Sequence, residues 1–179
     1  MRYLQDHVLN EHKFVEADPQ GLADSAGVDL ETYALASCGA SEESSKNPTA
    51  QLAIMCAIKN ACSEGGIAAK LLKSMRHGVT QASDGHFASQ EAPGKWAATS
   101  NPPTQYTLVT AAKVISGEVE DITEGSTLWL GTASQDAMHQ RRPDLYPKDA
   151  DGIIADRAAA GYRCVRIQGV PHTVFFSRS

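Results

Sequence analysis

The sequence lacks a basic cluster of the kind that nucleic-acid-binding proteins carry. Its 16 Lys and Arg residues are outnumbered by 21 Asp and Glu residues, which gives a formal net charge of −5, and the basic residues form no run. Nucleic-acid binding depends on pairing many phosphates with Lys and Arg. We therefore expect no nucleic-acid partner.

The sequence also lacks a long apolar run. No stretch approaches the length of a membrane span, and the start, MRYLQDHVLNEHKF, contains no apolar core of a secretory signal. These absences predict no membrane insertion and no signal peptide, and hence a protein made in the cytoplasm.

The sequence also lacks the cysteine and histidine spacings that are typical of metal sites and disulfide-rich proteins. The four cysteines, Cys38, Cys56, Cys62 and Cys164, form no C-x-x-C pair, and the histidines follow no zinc-ligand spacing. Buried free thiols are the favoured interpretation. No metal or organic cofactor is implied.

The chain length suits one domain with a real hydrophobic core. Residues 1–28 mix charge with turn-forming residues and show only weak helical spacing, between Tyr3 and Leu9. We interpret 1–28 as an N-terminal arm with a short helix, and 29–179 as the folded domain.

Capping signals mark the helices of this domain. Asp29 is a plausible N-cap for a helix that runs towards Ser41 and leaves Glu42 at or just beyond its end. Asn47 and Pro48 start a second predicted helix, which ends at Gly65. Three further helices are predicted: one from Ile67 to Met75, one from Thr104 to Gly117, and one from Asp149 to Ala160.

Strand signals are concentrated near the C-terminus. Leu128 to Leu130 predicts a short strand, and the segments 164–167 and 173–176 predict a hairpin. The stretch 81–103 is interrupted by glycines and prolines, which predicts a long binding loop without regular structure. The expected fold class is α+β, mostly α, with a small antiparallel β element near the C-terminus.

One group of residues carries a family resemblance. Glu42 and Glu43 end a predicted helix, and the next helix reads Gln51-x-Ala53 and continues to Asn60. This pattern resembles the SleB-type cell wall hydrolase family, in which a helix ends at a catalytic glutamate. Ser41, where the family carries Gly, and Lys46, near a second family acidic position, depart from the pattern.

The resemblance extends over roughly residues 30 to 178. It continues in short motifs at Ala112, Val114, Gly117, Asp121-Ile122-Thr123-x-Gly125, Ile167-x-Gly169, His172 and Phe175. Each motif is short, and their order and spacing carry the resemblance.

The resemblance implies a lysozyme-like helical domain that acts on bacterial peptidoglycan. Glu42 would be the general acid that protonates the glycosidic oxygen between MurNAc and GlcNAc. The residues expected to bind substrate are Gln51, Phe87, Ser89, Gln90 and His172. In such enzymes one Glu can suffice, with either hydrolysis or release of a 1,6-anhydro sugar as the outcome.

A second carboxylate is left open by the sequence. Asp84, Glu91 and Asp121 are candidates, and nothing in the residues chooses among them. Glu43 is expected to point away from its neighbour Glu42 and is a second choice for the acid.

Other interpretations of the whole chain also remain open. Because no signal peptide is predicted, delivery in a virion or release through a holin would be the route to the wall, and we therefore favour a phage-encoded protein. A lysozyme-like fold kept as a non-catalytic component of a phage particle, in contact with other virion proteins, is the main alternative. A Cys38–His172 pair acting as an amidase is a lesser one, because Cys38 falls on the apolar side of its helix.

Overall fold

The computed structural model describes residues 14–16, 19–43, 47–62, 95–97 and 103–178. The helices within these ranges are α1 (Pro19–Ala26), α2 (Leu30–Glu42), α3 (Pro48–Ala61), α4 (Gln105–Ser116), α5 (Thr132–Arg141) and α6 (Ala150–Ala159). The strands are β1 (Phe14–Glu16), β2 (Lys95–Ala97), β3 (Leu128–Gly131), β4 (Tyr162–Arg166) and β5 (Thr173–Arg178). The mostly helical α+β class is thereby confirmed.

The predicted caps form the observed helix starts. Asp29 Oδ1 accepts a hydrogen bond from the Thr32 amide at 2.8 Å, and Asn47 Oδ1 accepts from the Thr49 and Ala50 amides at 3.0 and 3.2 Å. Each side chain satisfies amides that have no partner inside the helix. At the other end of α4, Gly117 adopts φ +77°, the left-handed conformation that ends a helix.

Three helices build the main core. α2, α3 and α4 pack against one another, and α1 lies against α2. Along α3 nearly every side chain from Ala50 to Ile58 is buried. A helix that is buried on all sides must be the central element, with neighbours around its circumference.

A three-stranded antiparallel sheet completes the core. Its strand order is β3-β5-β4, and the β4–β5 hairpin was predicted from the sequence. Phe175 in the central strand joins the helical core, whereas Val174 and Phe176 project to the opposite face and are also buried. The sheet is therefore covered on both faces; α5 lies against β3, and α6 against β4.

Several boundaries differ from the sequence-based predictions. α3 ends at Ala61 rather than near Gly65, and α1 lies inside the predicted arm. The stretch predicted to lack regular structure contains β2, which pairs antiparallel with β1. α5 was not predicted. The predicted helices near the N-terminus and at 67–75 lie outside the described residues.

None of the helices in the described ranges is long and apolar enough to cross a membrane.

Lys59 joins α3 to α4. Lys59 Nζ, in the last turn of α3, donates to the Val114 carbonyl at 2.6 Å and to the Ile115 carbonyl at 3.3 Å. These carbonyls lie in the last turn of α4, where acceptors lack partners inside the helix and the dipole attracts a cation.

We expect Lys59→Met to lower the free energy of unfolding by about 1–2 kcal/mol, because it keeps the alkyl stem and removes charge-assisted hydrogen bonds. Urea denaturation of the wild type and the variant measures the change. Lys113→Met, an exposed lysine on α4, is the matched control and should stay within about 0.5 kcal/mol. Equal losses in both variants would contradict a specific role for Lys59.

Candidate functional site

A cavity of about 250 Å³ opens where α2 ends and where α3 and α5 begin. The loop between β4 and β5 forms its remaining wall. Its lining residues are Glu42, Glu43, Asn47, Ala50, Gly131, Ala133, Ser134, Val170, Pro171, His172 and Thr173. Residues with carboxylate, hydroxyl, amide and imidazole side chains therefore meet on one small concave surface, next to apolar residues.

Two of the predicted site residues come together at this cavity. Glu42 is the last residue of α2, and His172 directly precedes β5. Glu42 is half-buried, whereas His172 is exposed. Packing of the sheet against α3 brings these distant positions of the chain to one cavity.

Glu43, the second choice for the acid, also lines the cavity. The reason lies in the backbone, because Glu43 leaves the helix with φ −126° and ψ 84° while its amide still donates to the Gly39 carbonyl at 3.1 Å. The usual helical angle between neighbouring side chains does not apply there. The cavity thus has two adjacent carboxylates on one wall.

Hydrogen bonds tie the cavity walls to one another. Asn47, besides capping α3, donates from Nδ2 to the Gly169 carbonyl at 2.8 Å and so holds the β4–β5 loop. The His172 carbonyl accepts from the Thr132 amide at 2.8 Å and from its hydroxyl at 3.2 Å. The loop that carries His172 is thereby fixed to the starts of both α3 and α5.

Gln51 of α3 is hydrogen-bonded to the backbone at the end of α2. It is only 6% exposed, it is not among the described residues that line the cavity, and its Nε2 donates to the Glu43 carbonyl at 3.2 Å. Gln51 therefore holds the end of α2 against α3. In the structure Gln51 bridges two helices, and its contact with substrate stays a prediction.

Close packing of α2 on α3 fixes where Glu42 and Glu43 lie. A Cβ added to Gly39 would come within 2.7 Å of both Cγ and Cε of Met55. No other residue type fits there without a shift of Met55, which is fully buried. Gly39 lies one helical turn before Glu43, so the spacing of the two helices is set next to the site.

Asp121 is a structural carboxylate rather than a second acid at this cavity. Its Oδ1 accepts from the Thr123 amide at 2.9 Å, and its Oδ2 accepts from Asn60 Nδ2 at 2.8 Å and from the Gly125 amide at 2.9 Å. Asn60 Nδ2 also lies 3.1 Å from the Ser126 carbonyl. These bonds hold the turn after α4 against α3.

The environment of Asp121 favours its ionised form. Partial burial alone would raise the pKa of this carboxyl, but hydrogen bonds from Thr123, Asn60 and Gly125 outweigh burial, and the net pKa is lowered. An acid catalyst needs the opposite shift. Asp121 is also not among the described residues that line the cavity.

Cys38 does not lie at the cavity with His172. Cys38 is fully buried in the helical core and is not among the described residues that line the cavity. Burial, together with the nearby Asp121 carboxylate, raises the pKa of the Cys56 thiol to about 11. A neutral buried thiol is a poor nucleophile.

The remaining predicted site residues lie outside the described residues. These are Phe87, Ser89 and Gln90, and likewise the candidate carboxylates Asp84 and Glu91. Sequence reasoning missed Ser134 and the second role of Asn47. Ser134 gave no signal because it lies in the unpredicted helix α5, whereas Asn47 was recognised only as a cap.

Comparison of the chain with protein-family models, with curated proteins and with solved structures found no match.

The Gly39–Met55 contact is testable by a double-mutant cycle. We expect Gly39→Ala to lower the free energy of unfolding by about 1–3 kcal/mol, because the new methyl group overpacks the helix contact. Met55→Ala should cost about 2–5 kcal/mol through the cavity it leaves. Denaturation of the double variant should show a loss smaller than the two single losses combined, and strict additivity would contradict the predicted clash.

The Asp121 network predicts a pH-dependent stability. We expect Asp121→Asn to cost about 1–3 kcal/mol at pH 7, because the amide nitrogen cannot accept from Gly125 or Asn60. Since the folded-state pKa of Asp121 is lowered, its contribution is complete above the unfolded value of about 3.9 and is lost as pH falls through the folded value.

Denaturation of Asp121→Asn and the wild type from pH 7 down to the acid range should therefore show a difference that shrinks with acid. Glu120→Gln, an exposed neighbouring carboxylate, is the control and should stay within about 0.5 kcal/mol. A difference for Asp121→Asn that is independent of pH would refute the assignment.

Proposed function

We propose that this chain cleaves the glycosidic bond between MurNAc and GlcNAc in bacterial peptidoglycan, with Glu42 as the general acid. The observation that carries the proposal is that Glu42 and His172, both picked out by the resemblance, line one cavity. A cavity with a few convergent polar groups is the usual form of a small-molecule site.

The proposed chemistry requires a proton on the leaving oxygen. Glu42 donates its proton to the glycosidic oxygen, the bond from that oxygen to the anomeric carbon breaks, and positive charge develops on the sugar ring. The oxygen of water, or of the 6-hydroxyl of the same sugar, then bonds to the anomeric carbon and gives its proton to the Glu42 carboxylate. Water gives a reducing end, and the 6-hydroxyl gives a 1,6-anhydro end.

The surroundings of Glu42 favour a protonated carboxyl before the reaction. The end of α2 carries partial negative charge from the helix dipole, which disfavours an anion there.

The other walls supply groups that suit a sugar. Ser134 and His172 offer a hydroxyl and an imidazole for hydrogen bonds, and Val170 and Pro171 offer apolar contact with a ring face. At about 250 Å³ the cavity lies just below the range of about 300–1,000 Å³ for drug-sized ligands. It therefore suits a single sugar unit of a longer glycan strand.

The proposal includes a phage origin, with delivery to the wall inside a virion or through a holin. A particle component without activity is the rival account, and it would have the same fold. The two accounts differ in what the purified protein does to isolated cell walls.

Digestion of purified Gram-negative sacculi, followed by mass spectrometry of the soluble muropeptides, is the direct test. We expect wild-type protein to release disaccharide peptides and Glu42→Gln to lose activity by about 10²–10⁴-fold, the usual contribution of a general acid. Anhydro or reducing ends in the products identify the reaction.

Glu43→Gln is the matched control, because it makes the same chemical change on the same cavity wall. It should retain activity within about tenfold of wild type, and melting curves should show that both variants fold. Intact sacculi with wild-type protein would overturn the enzymatic proposal in favour of the particle component. Equal activity of Glu42→Gln and wild type would remove Glu42 from the mechanism.

A further inference from the structure

The last part of the chain has a charge composition opposite to that of the whole. From Arg157 to Ser179 the sequence contains four arginines and no acidic residue, although the chain carries a net charge of −5. Arg157 lies in the last turn of α6, Arg163 and Arg166 in β4, and Arg178 at the end of β5. The side chains of the hairpin itself thus include arginines and no carboxylate, on a protein of net negative charge.

Two of these arginines converge on one aromatic ring. The guanidinium carbons of Arg157 and Arg178 lie 5.5 and 5.3 Å from the centroid of the Tyr162 ring. Arg178 Nε also donates to Tyr162 Oη at 3.2 Å, across the strand pair in which the two residues are register partners. Both distances fall within the range of cation–π attraction.

The two arginines at Tyr162 differ from Arg163 and Arg142 in how their charge is compensated. Arg163 forms an ion pair with Glu124, and Arg142 forms one with Asp144. Within the described part of the chain, no carboxylate forms an ion pair with Arg157 or Arg178. The C-terminal end of α6 compensates Arg157 in part, whereas Arg178 lies on a strand.

We propose that Arg157, Tyr162 and Arg178 form a binding site for a phosphate group. Both guanidiniums lie beside the same ring, and an anion that contacts both offsets their positive charge. Guanidinium forks fit phosphate oxygens in paired hydrogen bonds. A phosphate monoester carries about −1.5 to −2 charges at neutral pH, which matches two arginines better than a carboxylate does.

This site is separate from the cavity that contains Glu42. Arg178 lies five residues along β5 from Thr173, the cavity residue of that strand, which corresponds to roughly 17 Å at about 3.3 Å per residue. The inference goes beyond the proposed function and stands whether or not Glu42 is catalytic.

Calorimetric titration with inorganic phosphate, at ionic strength held constant with sodium chloride, tests the site. We expect saturable binding by wild-type protein and at least about tenfold weaker binding by Arg178→Gln or Arg157→Gln, because each loses one guanidinium fork. Circular dichroism and melting curves without phosphate establish that each variant is folded.

Arg166→Gln is the matched control, since it removes the same charge from the same hairpin outside the Tyr162 cluster. Its affinity should stay within about threefold of wild type, which allows for the weaker long-range field. Absence of saturable binding by the wild type, or equal weakening by Arg166→Gln and Arg178→Gln, would overturn the proposal.

A second titration, with a polysaccharide that carries phosphate monoesters, distinguishes the sources of the phosphate. Binding of the polymer through the same two arginines assigns the site to a phosphate carried by a polymer. Binding of inorganic phosphate alone assigns it to a small free anion.

Discussion

The burial of α3 on all sides is the constraint on which the rest of the structure depends. A helix without a solvent-facing stripe needs neighbours around it, and α2, α4 and β3 provide them. Small residues make this possible, because Gly39 of α2 lets Met55 of α3 approach closely. The polar groups at both ends of α3 then decide what else is held in place.

Each end of α3 organises a different part of the molecule. At its start, Asn47 holds the β4–β5 loop and Gln51 holds the end of α2, so the cavity walls are assembled around the first turn. At its end, Lys59 binds the last turn of α4 and Asn60 binds the turn that contains Asp121. α3 thus has the cavity at its first turn and the hydrogen bonds of Lys59 and Asn60 at its last turn.

Local signals predicted the elements whose ends are marked by their own side chains. The Asp29, Asn47 and Thr104 caps and the hairpin pattern were sufficient, because these interactions form between residues close in sequence. α5 was missed since it has no side-chain cap and no clear apolar face; Gln135 is its only buried residue. β1 and β2 pair across a long separation that a local pattern does not encode.

The candidate site was predictable only in part, for the same reason. Glu42 could be placed at a helix end because the cap at Asp29 and the apolar spacing fixed that helix. That Glu43 shares the cavity depends on backbone angles beyond the helix, and that Gln51 is a support depends on the packing of α2 on α3. The position of Ser134 at the cavity could not be predicted, because Ser134 lies in α5, a helix that the sequence pattern did not indicate.

The two proposed sites lie at opposite ends of β5, and this arrangement limits what could occupy both. β5 is the central strand of the sheet, buried from Thr173 to Ser177 and paired on both sides. The distance between the sites is therefore fixed by a strand that cannot bend or slide without exposing Phe175 and Phe176. A sugar unit in the cavity and a phosphate at Arg178 could belong to one ligand only if that ligand were an extended polymer. A small ligand would occupy one site at a time, and the two sites would then act independently.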